Sequence, residues 1–395
     1  MSERSERAAR RSRAEAGPRK ASERSERAAR RSRAEAGPRQ TKERIVVAMS
    51  GGVDSSLAAA LMVERGWDAV GVTMNLAGSA SRCCSLADAD DARGVAERLG
   101  IRFFVANYAD RFRREVVEAF ADEYLAGRTP IPCVTCNSRF KFEYLLERAR
   151  AFGASHVASG HYARVDTDPT TGLRRLRRAV DREKDQSYFL FELDQRRLAS
   201  VHFPLGGMTK SEVRARARAL GLATADKPES QEICFVPDGD YAAVVERLRP
   251  GALPGEGEVV DRSGRVLGRH RGIHHFTVGQ RRGLGVSAGR RIYVSALDAR
   301  SNRVVVGGRD ELEVHGARLQ RVTWVAGSPP RRPIRASVRV RYRHVGARAA
   351  IEPGAGRSAC VLFDEPVAAV APGQAAVFYD GDTVLGGGWI AGPLP

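Results

Sequence analysis

The sequence predicts an α/β protein: a parallel, doubly wound sheet, then a small central domain and a C-terminal β-barrel. Two observations predict the sheet. Short β-branched runs alternate with helical stretches from residue 43 onward, and glycine-rich turns join them. A third predicts the barrel, since from about residue 255 short alternating strands and many glycines replace any convincing helix.

In chain order, RIVVAM (44–49) reads as a buried parallel strand and SGGVDSS (50–56) as the turn after it. The helix LAAALMVERG follows and closes at Gly66. DAVGVTMNL (68–76) is the second strand, DADDARGVAERLG an acid-started helix, and IRFFVAN the third strand. A helix over 112–127 leads into TPIPCVTCNSRFKF (129–142), read as a proline-stiffened loop. Asn137 or Ser138 is expected to cap the next helix, with Phe142, Leu145, Leu146, Ala149 and Phe152 on one face. SHVASGHYARV (155–165) reads as one strand, and Thr209 opens a helix through TKSEVRARARALGL. Cys234 lies on a loop, and 336–344 and 359–390 read as barrel strands. The expected domains are 1–40, 41–205, 206–307 and 308–395, with soft boundaries near 205–245 and 308.

Residues 1–40 contain SERSERAARRSRAEAGPR twice, at 2–19 and 22–39. The stretch is highly charged and has no apolar stripe, so it reads as a disordered basic arm or a mis-assigned start. It lacks the apolar core of a signal peptide. Residues 246–395 carry 23 Arg, no Lys and 13 acidic residues, a net of +10, while 41–245 balance 29 basic against 28 acidic. A basic half beside a neutral one points to a polyanion partner, RNA or DNA. Nothing approaches a membrane-spanning run. Six cysteines at irregular spacing suit a reducing, cytoplasmic setting better than a disulfide framework.

Chemistry concentrates in two places. A strand entering Ser50-Gly51-Gly52-Val53-Asp54-Ser55 and then a helix presents backbone N–H groups to an anion. Serine hydroxyls add donors, and Asp54 suits Mg²⁺ bridging phosphate oxygens. Without Gly-Lys-Ser/Thr it is not a Walker A loop; it resembles the PP-loop of ATP pyrophosphatases, which cleave ATP between the α and β phosphates. The second place is Cys133-x-x-Cys136, whose spacing admits a zinc site, a disulfide, an iron–sulfur ligand pair or a sulfur-handling nucleophile.

TPIPCVTCNSRFKF, SGHYARV, DREKDQSYFLF and ESQEICFVPDGDY, in this order, resemble the tRNA 2-thiouridylase family. The resemblance spans about 43–390 and is weak in the barrel. It implies a Rossmann-like, adenine nucleotide alpha hydrolase-like domain that uses ATP to thiolate the wobble uridine of tRNA. It implies nucleotide contacts by Ala48, Met49, Ser50, Gly51, Gly52, Val53, Asp54, Ser55, Met74 and Gly160. It assigns Cys136 as nucleophilic thiol and Cys234 as persulfide carrier, and Cys136 just ahead of a helix favours the thiolate. tRNA contacts are expected from Ile131, Pro132, Cys133, His161, Lys184, Asp185, Gln186, Arg341, Tyr342 and Gln374. A sulfur donor such as a cysteine desulfurase or sulfur-relay protein, and a monomer, complete the expectation.

The chain departs from the family once. Many members carry Asn-Pro-Asp where this one has Ile131-Pro132-Cys133, so a candidate general acid/base is replaced by a third thiol. Two sulfur chemistries stay open: a persulfide, or a [4Fe–4S] cluster on Cys133, Cys136 and Cys234 with one open iron. Cys83 and Cys84 are expected to be incidental and Cys360 to be core. The competing functions are another PP-loop adenylating enzyme, such as a tRNA cytidine thiolase or an amidating ligase, and a non-catalytic RNA-binding module.

Overall fold

Residues 42–76, 86–229, 233–236, 239–286 and 289–394 are described by the computed structural model. The tandem repeat of 1–40 and the pair Cys83–Cys84 lie outside them. β1 (Arg44–Ala48) carries Ile45, Val46 and Val47, all fully buried, which places it at the centre of a sheet. β2 (Asp68–Asn75), β3 (Arg102–Asn107) and β4 (His156–Ser159) join it. After a hairpin of β5 (Ala163–Thr167) and β6 (Arg174–Arg178), β7 (Val201–His202) completes the order β3-β2-β1-β4-β7, all parallel. The chain winds outward through β2 and β3, then returns to the other side of β1, so the topological switch point lies between β1 and β4. In open α/β sheets that crevice is where ligands bind.

Helices cover both faces. α1 (Val53–Glu64) and α2 (Leu86–Leu99) lie on one, sharing a core with Met49, Ala158 and Tyr162. On the other, α3 runs Ala109–Phe112, a π-helical Arg113–Glu118, then Ala119–Leu125. α4 runs Pro132–Thr135, a π-helical Cys136–Tyr144, then Leu145–Ala151. α5 (Lys210–Ala219) starts at the predicted Thr209 with a complete capping box to Glu212. Leu205, Val213, Ala217, Leu222 and Ala225 join the α1–α2 core, so the segment after 205, expected in the central domain, packs into the sheet domain.

α6 (Tyr241–Leu248) leads to a four-stranded sheet of β8 (Gly257–Asp261), β9 (Val266–His270), β10 (Tyr293–Asp298) and β11 (Arg303–Gly307), in the order β10-β11-β8-β9. The predicted barrel follows: β12 (Glu313–Trp324), β13 (Ile334–Arg339), β14 (Ala347–Pro353), β15 (Ser358–Ala368), β16 (Ala375–Asp380) and β17 (Thr383–Leu394). The order β12-β15-β14-β13-β16-β17 closes through β12–β17 pairing. The β5–β6 hairpin extends the barrel sheet through β6–β17, tying the segment after β4 to the barrel.

Three expectations change. The strand over 155–165 divides at Gly160: its first half pairs with β1 and its second half joins the barrel sheet. A Cβ on Gly160 would lie 2.6 Å from the Asp54 carbonyl carbon, so the chain turns there, pressed on the start of α1. The second change concerns the cysteine segment, which is helical from Pro132, with proline at N1. Asn137 and Ser138 are therefore buried inside a helix rather than capping one. The third is Cys360, which is half-buried on β15 rather than core.

Candidate active site

The turn after β1 is held from below, since Met49 N donates to Val72 O at 2.9 Å and Thr73 Oγ1 donates to Met49 O at 2.7 Å. Gly51 has φ +70°, and a Cβ there would sit 2.2 Å from the Asp88 carbonyl oxygen, so only glycine fits. Ser55 Oγ donates to Gly52 O at 3.0 Å and accepts from Ser50 N at 3.1 Å, while Ser56 Oγ donates to Gly52 O at 2.9 Å. The result is a rigid loop at the N-terminus of α1, with Gly160 of the neighbouring strand end beside it. The side chains of Met49, Val53 and Met74 are buried in the core.

Asp54 sits in a charge cluster the sequence did not announce. Lys210 Nζ lies 2.8 Å and 2.9 Å from its two carboxylate oxygens, and Tyr162 Oη donates to Oδ1 at 2.8 Å. The same ammonium is 2.6 Å from Glu229, whose other oxygen takes Lys184 Nζ at 2.7 Å. Burial alone would raise the Glu229 carboxyl, but the hydrogen bonds from Lys184 and Lys210 outweigh it and hold its pKa below the usual range. The bond to Glu229 raises Lys184, and burial with the Asp54 charge pushes the Tyr162 phenol up. Tyr162, Lys210 and Glu229 are the residues sequence reasoning missed. The signals present were the histidine-tyrosine of SGHYARV, the lysine after the Thr209 cap, and the first glutamate of ESQEIC.

Two of the cysteines, far apart in the chain, border the same hydrophobic core. Cys136 and Cys234 both pack against one core of Phe112, Phe120, Phe140 and Phe235, and Cys133, Cys136 and Cys234 are all half-buried. Because the helix starts at Pro132, Cys133 occupies its first turn and Cys136 the next. The N-terminal dipole, which falls off within one turn, therefore acts most on Cys133.

The RNA candidates divide into exposed groups and braces. Lys184 and Arg341 reach the surface region, and the Tyr342 ring lies 4.4 Å from Phe189, just beyond Gln186. Ile131 and Tyr342 pack on the same core, so the cysteine helix, the Lys184 segment and the barrel meet there. Asp185 is 3% exposed and filled by Ala179 N, Ser187 and Arg339. Gln186 Oε1 accepts from Tyr162 N at 3.0 Å. Gln374 Nε2 donates to Thr129 O at 3.0 Å, tying the barrel to the loop ahead of Pro132. His161 is buried between Ser159 Oγ (2.8 Å from Nδ1) and Asn137 Oδ1 (3.1 Å from Nε2), and burial pushes its pKa well below the usual range. It is a satisfied, neutral brace between β4 and α4 rather than a surface contact. Pro132 is buried too.

A rigid Gly-Gly-x-Asp-Ser loop at the switch point of a parallel sheet, with an amine–carboxylate cluster around its aspartate, defines an ATP-using α/β enzyme of the PP-loop class. Family models match the chain in three segments: the tRNA methyl transferase HUP domain over 43–238, the tRNA methyl transferase PRC-barrel domain over 247–308, and the aminomethyltransferase beta-barrel domain over 314–390. The tRNA-specific 2-thiouridylase MnmA of Solibacter usitatus (strain Ellin6076) is 51% identical over 365 residues, covering 88% of this chain and 98% of that protein. That of Geobacter metallireducens is 51% identical over 357 residues, covering 88% and 96%. Among solved structures, a 4-thiouridine synthetase–RNA complex with bound ATP aligns over 53% of this chain and 51% of that one. Its identity is 16% and its TM-score 0.33, too remote to carry weight. The chain belongs to the tRNA-specific 2-thiouridylase family.

Proposed function

We propose that the protein thiolates the wobble uridine of tRNA at C2, consuming ATP and releasing AMP and pyrophosphate. The observation behind this is a chain half identical to 2-thiouridylases over 88% of its length, with Cys136 and Cys234 both bordering one core. The uracil C2 oxygen attacks the α-phosphorus, an O–P bond forms and pyrophosphate leaves, which turns a poor leaving group into AMP. The terminal sulfur of a Cys234 persulfide adds to C2 and AMP departs. The Cys136 thiolate then attacks the Cys234 sulfur, freeing 2-thiouridine and leaving a disulfide that a thiol reductant must reopen. The loop N–H groups and the start of α1 hold the phosphates, and the Lys210 ammonium is placed to meet charge gathering there.

Both oxygens of Asp54 accept from Lys210, so this carboxylate fits Mg²⁺ where the ammonium gives way to phosphate. The donor set of three half-buried thiols suits a [4Fe–4S] cluster: Cys133, Cys136 and Cys234 would hold it, and it would supply an open iron for hydrosulfide. Lys184 and Arg341 contact RNA in this reading, with Asp185, Gln186, His161 and Gln374 shaping the surface behind them. The base is extruded to expose C2. A cysteine desulfurase or sulfur-relay protein supplies sulfur to a cytoplasmic monomer. Among the described residues no helix is long and apolar enough to cross a membrane. The domain division is 41–205, 206–307 and 308–395, with the first boundary softened by the packing of α5.

The test is ATP-dependent 2-thiouridine formation in tRNA, with iron and labile sulfide measured on the same anaerobic sample. Cys136→Ser and Cys234→Ser should each abolish thiolation with tRNA binding intact, and full activity in either overturns the mechanism. Iron near one cluster per chain, lost with activity in Cys133→Ala, selects the cluster. An iron-free sample active with a persulfide donor selects the persulfide.

A further inference from the structure

Glu246 on α6 and the adjacent His274 and His275, in the turn Ile273–His275 between β9 and β10, converge on one point. Their ligand atoms all lie within 4.8 Å of one another, and no other such group of three occurs among the described residues. Nε2 of His274 and Nε2 of His275 each stand 3.3 Å from the same oxygen, Oε1 of Glu246. Neighbouring side chains usually diverge. Here the tight turn sets the two rings 4.3 Å apart at 36°, both aimed at one carboxylate.

The spacing suits a shared ion. The edge between two ligands of a tetrahedral zinc ion, with bonds of about 2.0–2.1 Å, is about 3.3 Å. Both Nε2–Oε1 separations match that edge, and the His274 contact is also a long hydrogen bond. The His274 side chain is 2% exposed, so the imidazole that turns its Nε2 to Glu246 is held inside the fold. The carboxylate is also pre-positioned. Arg249 holds α6 to Asp122 of α3 at 2.8 Å, Tyr241 stacks on Tyr124 at 4.6 Å, and Tyr241 Oη donates to His275 O at 3.0 Å.

We propose that Glu246, His274 and His275 form a site for one divalent transition-metal ion of the zinc class, with the remaining coordination position open to water or an external ligand. Two imidazole nitrogens and one carboxylate favour Zn²⁺ or Co²⁺ over the all-oxygen ions Mg²⁺ and Ca²⁺. The ion would join the helix that follows the Cys234 segment to the turn of the central sheet. This donor set is separate from the three cysteines, so the site does not depend on which sulfur chemistry operates.

The experiment titrates the full chain, stripped with a chelator, with Zn²⁺ and with Co²⁺. Expected is one equivalent held by this site, giving visible Co²⁺ d–d bands without thiolate-to-cobalt charge transfer. Zn²⁺ should raise the melting temperature by about 3 °C or more. Glu246→Gln and His275→Ala, both at partly exposed positions, should lose the bands and the shift, while Cys136→Ser keeps them. Unchanged binding in both variants, no binding in the wild type, or bands that vanish in Cys136→Ser would each overturn the site.

Discussion

Lys210 shows what one side chain does when charges crowd. At 12% exposure its ammonium lies between Asp54 and Glu229, with Lys184 completing the far side of Glu229. Removing it leaves the two carboxylates facing each other, with Lys184 only on the far side of Glu229. Lys210→Ala is expected to lower stability by about 2 kcal/mol and tRNA-dependent AMP release by about tenfold or more. Urea unfolding and an AMP assay on the same preparation check this. Lost stability with an unchanged rate would make Lys210 a brace alone. His161 is the opposite case: its motif marked it for RNA, yet both ring nitrogens are used inside the fold.

At the scale of elements, the floor of the parallel sheet carries its own pH dependence. His156 begins β4 and His202 ends β7; their Nδ1 and Nε2 are 3.1 Å apart, and Trp67 packs edge-on against both rings at 5.2 Å. Burial, then the neighbouring His156, lowers the His202 pKa to about 4. The unfolded chain takes up that proton near pH 6.5 and the folded chain only near 4, so stability falls as pH drops through this window. With allowance for partial exposure, the loss from pH 7 to 5 is about 1–2 kcal/mol. His202→Gln should lose less between those pH values in denaturant melts, and an equal loss would clear His202 of the effect. The π-helical middle of α4 is another decision made at this scale, since it carries Asn137, which reaches His161.

Across the whole molecule, the Arg-rich C-terminal half and the cysteine region are drawn together by contacts between domains. The β5–β6 hairpin adds to the barrel sheet, Gln374 grips Thr129, and Tyr342 meets Phe189. Arg341 is exposed beside His344 and Arg348, in a depression that Asp364 and Glu365 also line. Arg341→Ala should weaken tRNA binding and reduce the slope of log K against log salt by about one. An unchanged slope in a salt titration would place the RNA elsewhere on the barrel.

By itself the sequence determined the alternation of strands and helices, the glycine loop after β1, the Thr209 cap and the change to β structure after 255. Each of these is written in neighbouring residues, by periodicity or by a turn that only glycine accepts. It also carried the motif strings that led to the family and to Cys136 and Cys234. The tertiary structure alone decided the division of 155–165 between two sheets, the burial of Asp185 and His161, the Lys210–Asp54–Glu229 cluster, and the meeting of Glu246 with His274 and His275. Those partners lie far apart in the chain or on different elements. Charge pairing and burial depend on distances in space, which local spacing does not encode.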